Sequence, residues 1–234
     1  PMQALRNKTV VLCMKGLEMG TGERLSVIAG ELLHPSCTVA VWLGPGHVQE
    51  FYRGIPNCMV IDSENEQVKR RLVQAFSSDL IRFYYGGDMI GNEVGAAAKN
   101  VVGIAAGFLD GVEMSSLKGA LMSRGTREVA RLIRAMGGNE LSAYGLCHLG
   151  DYEATVFSPY SHNRQFGESF IRHQDYHRLA EGYYTVEALM VLSERYQVEL
   201  PICRAVHAIL YENADPREQL TELLRRGLRA EFDD

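Results

Sequence analysis

This sequence has no complete G-x-G-x-x-G, no C-x-x-C pair, no nucleophile elbow and no apolar run near the ~20 residues that a membrane span needs. It also has no signal-peptide pattern at its start, no long basic tract, no low-complexity linker and no internal repeat. Each absence removes a class. Five cysteines, Cys13, Cys37, Cys58, Cys147 and Cys203, are odd in number and scattered, which argues against a disulfide framework and predicts reduced thiols. Cytoplasmic residence is the expected location. A net charge of −5 without a basic patch makes nucleic acid an unexpected partner. Pro1 opens the chain without a methionine, which fits either initiator removal or a longer protein whose start lies outside this sequence.

What is present is an ordinary globular composition, 46% hydrophobic and 23% charged over 234 residues, enough for one large or two small domains. The first ninety residues alternate. β-branched and aromatic runs at 9–14, 38–44, 58–63 and 80–86 read as strands; 21–33 and 63–76 carry helical periodicity, the second opening on a Ser63-x-x-Glu66 capping box. From Gly91 on, the pattern is helical throughout, at 91–109, 115–136, 139–149, 163–180, 184–196, 201–212 and 216–230. The expected boundary therefore lies near residue 90, dividing the chain into 1–90 and 91–234.

Motifs in isolation carry little. The strand at 38–44 runs into Gly44-Pro45-Gly46, but Gln49 stands where a third glycine would complete a pyrophosphate loop. "GTGERL" at 20–25 fails likewise. His173 and His177 lie four apart, so on a helix they would share a face, where they could pair on a metal or simply face solvent. No third ligand is identifiable, and no metal is expected.

Glycine and lysine usage is more informative. Gly91, Gly95, Gly103, Gly107 and Gly111 recur every fourth position, and Lys99 fills the one vacant slot. Glycine costs a helix interior roughly 1 kcal/mol against alanine, so the series predicts a helix approached closely by a neighbour. Lysines number only five (Lys8, Lys15, Lys69, Lys99, Lys118) against nineteen arginines. A desolvated lysine can lower its pKa toward neutrality and exchange a proton, which arginine cannot do. Lys15 follows an apolar strand and Lys99 lies among small residues; both positions suit partial burial, or a stem that snorkels to solvent.

Read together, "MKGLE" (14–18), "GPGHVQE" (44–50), "GAAAKNVVGIAAGFLDG" (95–111), "LMSRG" (121–125), "GLCHLGDYEAT" (145–155), "SHNRQFG" (161–167), "EGYYT" (181–185) and "VELPICRAVHAILYE" (198–212) resemble, in order and spacing, the NAD(P)-dependent glycerol-3-phosphate dehydrogenases. The resemblance covers nearly the whole chain. It implies an α/β partial Rossmann-like sheet followed by an all-helical C-terminal domain of the 6-phosphogluconate-dehydrogenase C-terminal-like kind. The implied reaction is hydride transfer between NAD or NADP and C2 of glycerol 3-phosphate or dihydroxyacetone phosphate, a small phosphorylated three-carbon substrate. By position, Lys99 would exchange the proton, Lys15 would contact substrate and cofactor, and Asp151 would be the polar group beside Lys99. Gly44, Asn100, Thr155, Ser161, His162 and Asn163 would form the substrate site, while His162 and Glu181 would also lie near the cofactor.

Three departures qualify that transfer. The chain begins, relative to the family, at a late Rossmann strand, so the glycine-rich first turn is expected outside it and NAD(P) is expected to be held weakly by this chain alone. His162 replaces the arginine of S-R-N, which predicts weaker, pH-dependent phosphate binding that Arg164 could offset. G-P-G-H replaces G-P-T-F, so Gly46 offers no hydroxyl and His47 stands for an aromatic residue. The alternatives are a related dehydrogenase of another small hydroxy substrate and a non-catalytic dimerising remnant. Unpaired sheet edges make a homo-oligomer, such as a dimer, the expected assembly under any of them.

Overall fold

A computed structural model describes residues 2–46, 48–225 and 231. His47 and the end of the last expected helix, 226–230, lie outside the described residues. The four expected strands form one mixed sheet in the order β1 (Thr9–Leu12), β2 (Thr38–Leu43), β3 (Asn57–Asp62), β4 (Ile81–Tyr85). β1 and β2 are parallel with Val10 opposite Val39, β2 and β3 are antiparallel with Trp42 opposite Ile61, and β3 and β4 are parallel with Met59 opposite Phe83. The parallel pairs require crossovers, supplied by α1 (Leu25–Leu32) and α3 (Glu66–Phe76). A short α2 (Val48–Tyr52) links β2 to β3.

Strand alternation gives the sheet two apolar faces. Ala40, Ile61 and Phe83 pack with Leu72 and Val73 of α3, while Val41, Leu43 and Val60 point the other way onto Ala96 and Cys147. That second face seats the sheet on α4 (Met89–Gly111), a helix of about 35 Å in which every residue from Gly91 to Leu109 is buried. Around α4 pack α5 (Lys118–Ala135), α6 (His162–Ile171), α7 (Glu181–Tyr196) and α8 (Pro201–Tyr211), with α9 (Pro216–Arg225) against α8. Among the described residues no helix is long and apolar enough to cross a membrane.

The glycine series on α4 is the surface on which this packing depends. At Gly107 a Cβ would lie 2.9 Å from the Cα of Gly167, and it would also overlap the Arg164 carbonyl, so α6 crosses α4 backbone to backbone. At Gly103 a Cβ would lie 2.8 Å from Thr155 Cγ2, so the segment carrying Thr155 rests in that notch.

Four local expectations change. Ser63 does not cap α3: its hydroxyl donates to Val39 O (2.7 Å), tying β3 to β2, and Asn65 caps instead by accepting from Val68 N (3.1 Å). The helix expected from residue 21 begins at Leu25, after a turn in which Gly22 is left-handed (φ +71°). The segment 139–149 is not one α-helix but the 3-10 turns Glu140–Tyr144 and Leu149–Asp151, followed by a π-helical turn, Glu153–Phe157. The helix expected to reach 180 stops at Ile171, because His173 turns left-handed (φ +54°) and Gln174 N bonds back to Ser169 O (2.9 Å). His173 and His177 therefore share no helix face. Among the described residues no group of three His, Cys, Asp or Glu has a metal-binding arrangement.

Candidate active site

Lys15 and Gly44 follow the carboxyl ends of the parallel strands β1 and β2, the edge at which α/β sheets receive ligands. Gly44 is left-handed (φ +125°), and a Cβ there would lie 3.1 Å from Met59 Cα, so the chain turns tightly over β3. Its carbonyl accepts from Lys15 Nζ at 3.2 Å. The same ammonium lies 2.7 Å from Asp151 Oδ2, which bridges the sheet to the helical part of the molecule.

Lys99 projects from the middle of α4 onto the same carboxylate oxygen, with Nζ 2.9 Å from Asp151 Oδ2. It also donates to Thr155 Oγ1 (2.8 Å), and that hydroxyl donates onward to Asp151 O (2.7 Å). Lys99 and Asp151 are buried, whereas the Lys15 side chain keeps 20% of its surface accessible. One carboxylate therefore serves two ammonium groups. Burial is the largest influence on Lys99 and lowers its pKa to about 8; Asp151 opposes the fall and Lys15 adds to it. Two of the three Nζ donors are engaged among the described residues, leaving one for a substrate oxygen.

A second cluster lies at the start of α7. Asn100 Nδ2 donates to Glu181 Oε2 (3.0 Å), and Gly182 N donates to Asn163 Oδ1 (2.9 Å). A Cβ at Gly182 would lie 2.6 Å from the Asn100 carbonyl, so α7 begins directly against α4. Asn163 spends its carbonyl here and keeps its amide N–H groups as donors. Ser161 is buried and caps α6 by accepting from Arg164 N (3.3 Å). His162 is exposed, with Nδ1 2.8 Å from the Tyr176 hydroxyl.

The structure thus joins Lys15, Gly44, Lys99, Asp151 and Thr155 in one bonded group and places Asn100, Asn163 and Glu181 in another beside it. Arg164, offered by the sequence as a second phosphate contact, is committed elsewhere. Its guanidinium pairs with Asp110 (2.6 Å), which Lys118 also holds (2.7 Å), about 16 Å along α4 from Lys99. Sequence reasoning passed over His148 and Tyr152, which flank Asp151 and are completely buried. The signal available in the sequence was their place on either side of Asp151 within segment 145–155.

The chemistry of the donor set suits a nicotinamide cofactor. An ammonium lowered to a pKa of about 8 can exchange the proton that accompanies hydride transfer, and through Asp151 it is joined to Lys15 at the ligand-receiving edge of the sheet. Comparison with known proteins agrees. Residues 2–69 match the family model for the NAD-dependent glycerol-3-phosphate dehydrogenase N-terminus and residues 88–221 the model for its C-terminus. The chain is 35% identical to glycerol-3-phosphate dehydrogenase [NAD(P)+] of Fusobacterium nucleatum, over 97% of this chain and 70% of that protein. It is 38% identical to the Thermus thermophilus protein of that name, over 94% of this chain and 70% of the relative. Among solved structures, glycerol-3-phosphate dehydrogenase from Coxiella burnetii superposes with a TM-score of 0.86 at 30% identity, covering 93% of this chain and 69% of that one. The ketopantoate reductase from Ralstonia eutropha, at 13% identity and a TM-score of 0.51, shares the fold alone. By sequence and by architecture, this chain belongs to the NAD-dependent glycerol-3-phosphate dehydrogenase family.

Proposed function

We propose that this chain is an oxidoreductase that interconverts glycerol 3-phosphate and dihydroxyacetone phosphate, with Lys99 as the proton-transfer group. The observation that carries this reading is the buried Lys99 ammonium, hydrogen-bonded to Asp151 and Thr155 and lowered to a pKa of about 8. When bound, NAD or NADP supplies or accepts the hydride at C2. In the reducing direction the carbonyl oxygen gains negative charge, which the Lys99 ammonium stabilises and then neutralises by giving up its proton. In the oxidising direction neutral Lys99 accepts the hydroxyl proton. Asp151 orients the ammonium, and Thr155 fixes the Nζ position by accepting one N–H.

Lys15, more accessible than Lys99 and held by Asp151 and Gly44 O, supplies a second positive charge where substrate meets cofactor. The Asn163 amide, with Asn100, Ser161 and His162 near the starts of α6 and α7, is assigned to substrate oxygens and phosphate. Glu181 is assigned to the cofactor side. Residues 1–90 are read as the cofactor-binding part and 91–234 as the substrate-binding, catalytic part, with a homo-oligomer as the working assembly.

The test is turnover. With reduced NAD or NADP in large excess, addition of dihydroxyacetone phosphate should oxidise the cofactor in equal amount, and Lys99→Met should lower the rate by about 10²–10⁴-fold. An unchanged rate in Lys99→Met would remove Lys99 from the mechanism. Consumption of another small hydroxy or keto substrate in preference would reassign the reaction.

A further inference from the structure

We propose that His148 and Tyr152 are positioning residues for Lys99: together they bind the turn carrying Asp151 to the turn of α4 that carries the lysine. The inference rests on the reading of Lys99 as the proton-transfer group.

The two side chains bracket Asp151, four residues apart, and both are fully buried. His148 Nδ1 lies 2.8 Å from the Gly95 carbonyl. A carbonyl only accepts, so Nδ1 carries the hydrogen. Gly95 is four residues before Lys99, so its carbonyl is the one to which the Lys99 backbone N–H points in the α-helix. With Nδ1 protonated, the neutral ring offers Nε2 as an acceptor, and the Tyr152 hydroxyl stands 2.7 Å away to donate. The Gly95 carbonyl fixes this tautomer, and Tyr152 completes it by giving Nε2 a donor.

Close packing makes the arrangement specific. A Cβ at Gly95 would come within 3.0 Å of His148 Cβ, and one at Gly125 of α5 within 3.2 Å of the Tyr152 hydroxyl. The rings meet edge to face at 4.8 Å. A continuous line of contact therefore runs from α5 through Tyr152 and His148 to α4. Asp151 hangs from this line, since its N–H donates to His148 O (3.0 Å) while Thr155 holds its carbonyl.

Charge balance explains why the imidazole must stay neutral. His148 faces Lys99 and Asp151; Lys99 faces Asp151, Lys15 and His148. An imidazolium would add a third cation around one carboxylate. Burial is the main cause that lowers the His148 pKa to about 4, with Lys99 contributing. If the support loosens, Asp151 shifts from Lys99, and the attraction that props up the lysine's pKa weakens.

The test reads Lys99 directly, without cofactor or substrate. Because the chain has only five lysines, side-chain ¹³Cε and ¹⁵Nζ resonances of lysine-labelled protein can be titrated individually, with Lys99→Arg assigning the signal. In wild type the Lys99 signal should titrate near 8. Tyr152→Phe and His148→Leu should move it down by about half a unit or more. His148→Gln, which can still donate to Gly95 and accept from Tyr152, should leave it near the wild-type value. An unmoved titration in folded Tyr152→Phe would overturn the proposal, and that variant decides if His148→Leu fails to fold. A shift in His148→Gln as large as in His148→Leu would also overturn it, by assigning the effect to ring packing. Failure of the catalytic reading is separate, appearing as retained turnover in Lys99→Met.

Discussion

Asp151 Oδ2 lies 2.9 Å from Lys99 Nζ and 2.7 Å from Lys15 Nζ, so a single buried oxygen is shared by two ammonium groups, one from α4 and one from the loop after β1. The shared oxygen couples the sheet to the helices and leaves one positive charge in excess when both lysines are protonated. That excess has a cost in stability and a use in catalysis.

The cost predicts that Lys99→Met is more stable than wild type at neutral pH. Lys99 holds its proton up to about 8 in the fold but up to its ordinary 10.5 when unfolded. The unfolded chain binds more protons between those values, so wild-type stability is penalised below pH 8 and rises as the pH climbs from about 8 to 10.5. Removing the lysine leaves Asp151 paired with Lys15 alone. Thermal unfolding should give a Tm several degrees higher for the variant at pH 7, with the gap closing toward pH 10. A lower Tm at pH 7 would mean that the Lys99 ion pair outweighs its desolvation.

Gly107 of α4 and Gly119 of α5 should respond oppositely to alanine. Gly107→Ala sets a methyl against Gly167 Cα and the Arg164 carbonyl, and should destabilise by about 3 kcal/mol or more in denaturant unfolding. Gly119→Ala, inside α5 with open space around it, should stabilise by about 0.5–1 kcal/mol. Equal effects at the two sites would show that helix propensity, and not the α4–α6 contact, dominates.

Much of this architecture is readable from residue order. Alternation located the four strands, and the four-residue glycine spacing announced a helix with a close neighbour. The 3-10 and π-helical turns between Glu140 and Phe157 escaped because their apolar spacing resembles that of an α-helix over a few residues. Ser63 and Asn65 both suit a cap, and only the tertiary bond from Ser63 to Val39 O decides between them. Likewise the pairing of Lys99 with Asp151 joins segments far apart in the chain, so spacing alone could not reveal it. The resemblance to a known family supplied that link, whereas it gave no role to His148 and Tyr152, although both lie within its segment 145–155.

Thiol chemistry gives an independent check of burial. Cys147 and Cys203 are buried, and burial pushes the Cys147 thiol up to about 12 and Cys203 well above its usual value. A thiol-disulfide reagent at pH 8 should spare both in the native protein and label all five cysteines after denaturation. Exposed Cys13 should react in the native state, more slowly than a free thiol, because desolvation raises its pKa as well. Native labelling of Cys147 would place the Asp151 turn in solvent.

His162→Arg tests the phosphate assignment. His162 is exposed at the start of α6, and a guanidinium there gives a permanent charge and paired donors. The KM for dihydroxyacetone phosphate should fall several-fold, with a smaller change in kcat. An unaltered KM would move the phosphate contact to another residue.

The most direct test of the account is the pH dependence of kcat/KM measured in both directions on wild-type protein. Reduction needs protonated Lys99 and oxidation needs it neutral, so reduction should fall and oxidation should rise through the same pKa, about 8. Limbs that move in the same direction, or that inflect away from the value at which Lys99 itself titrates, would contradict Lys99 as the group that carries the proton.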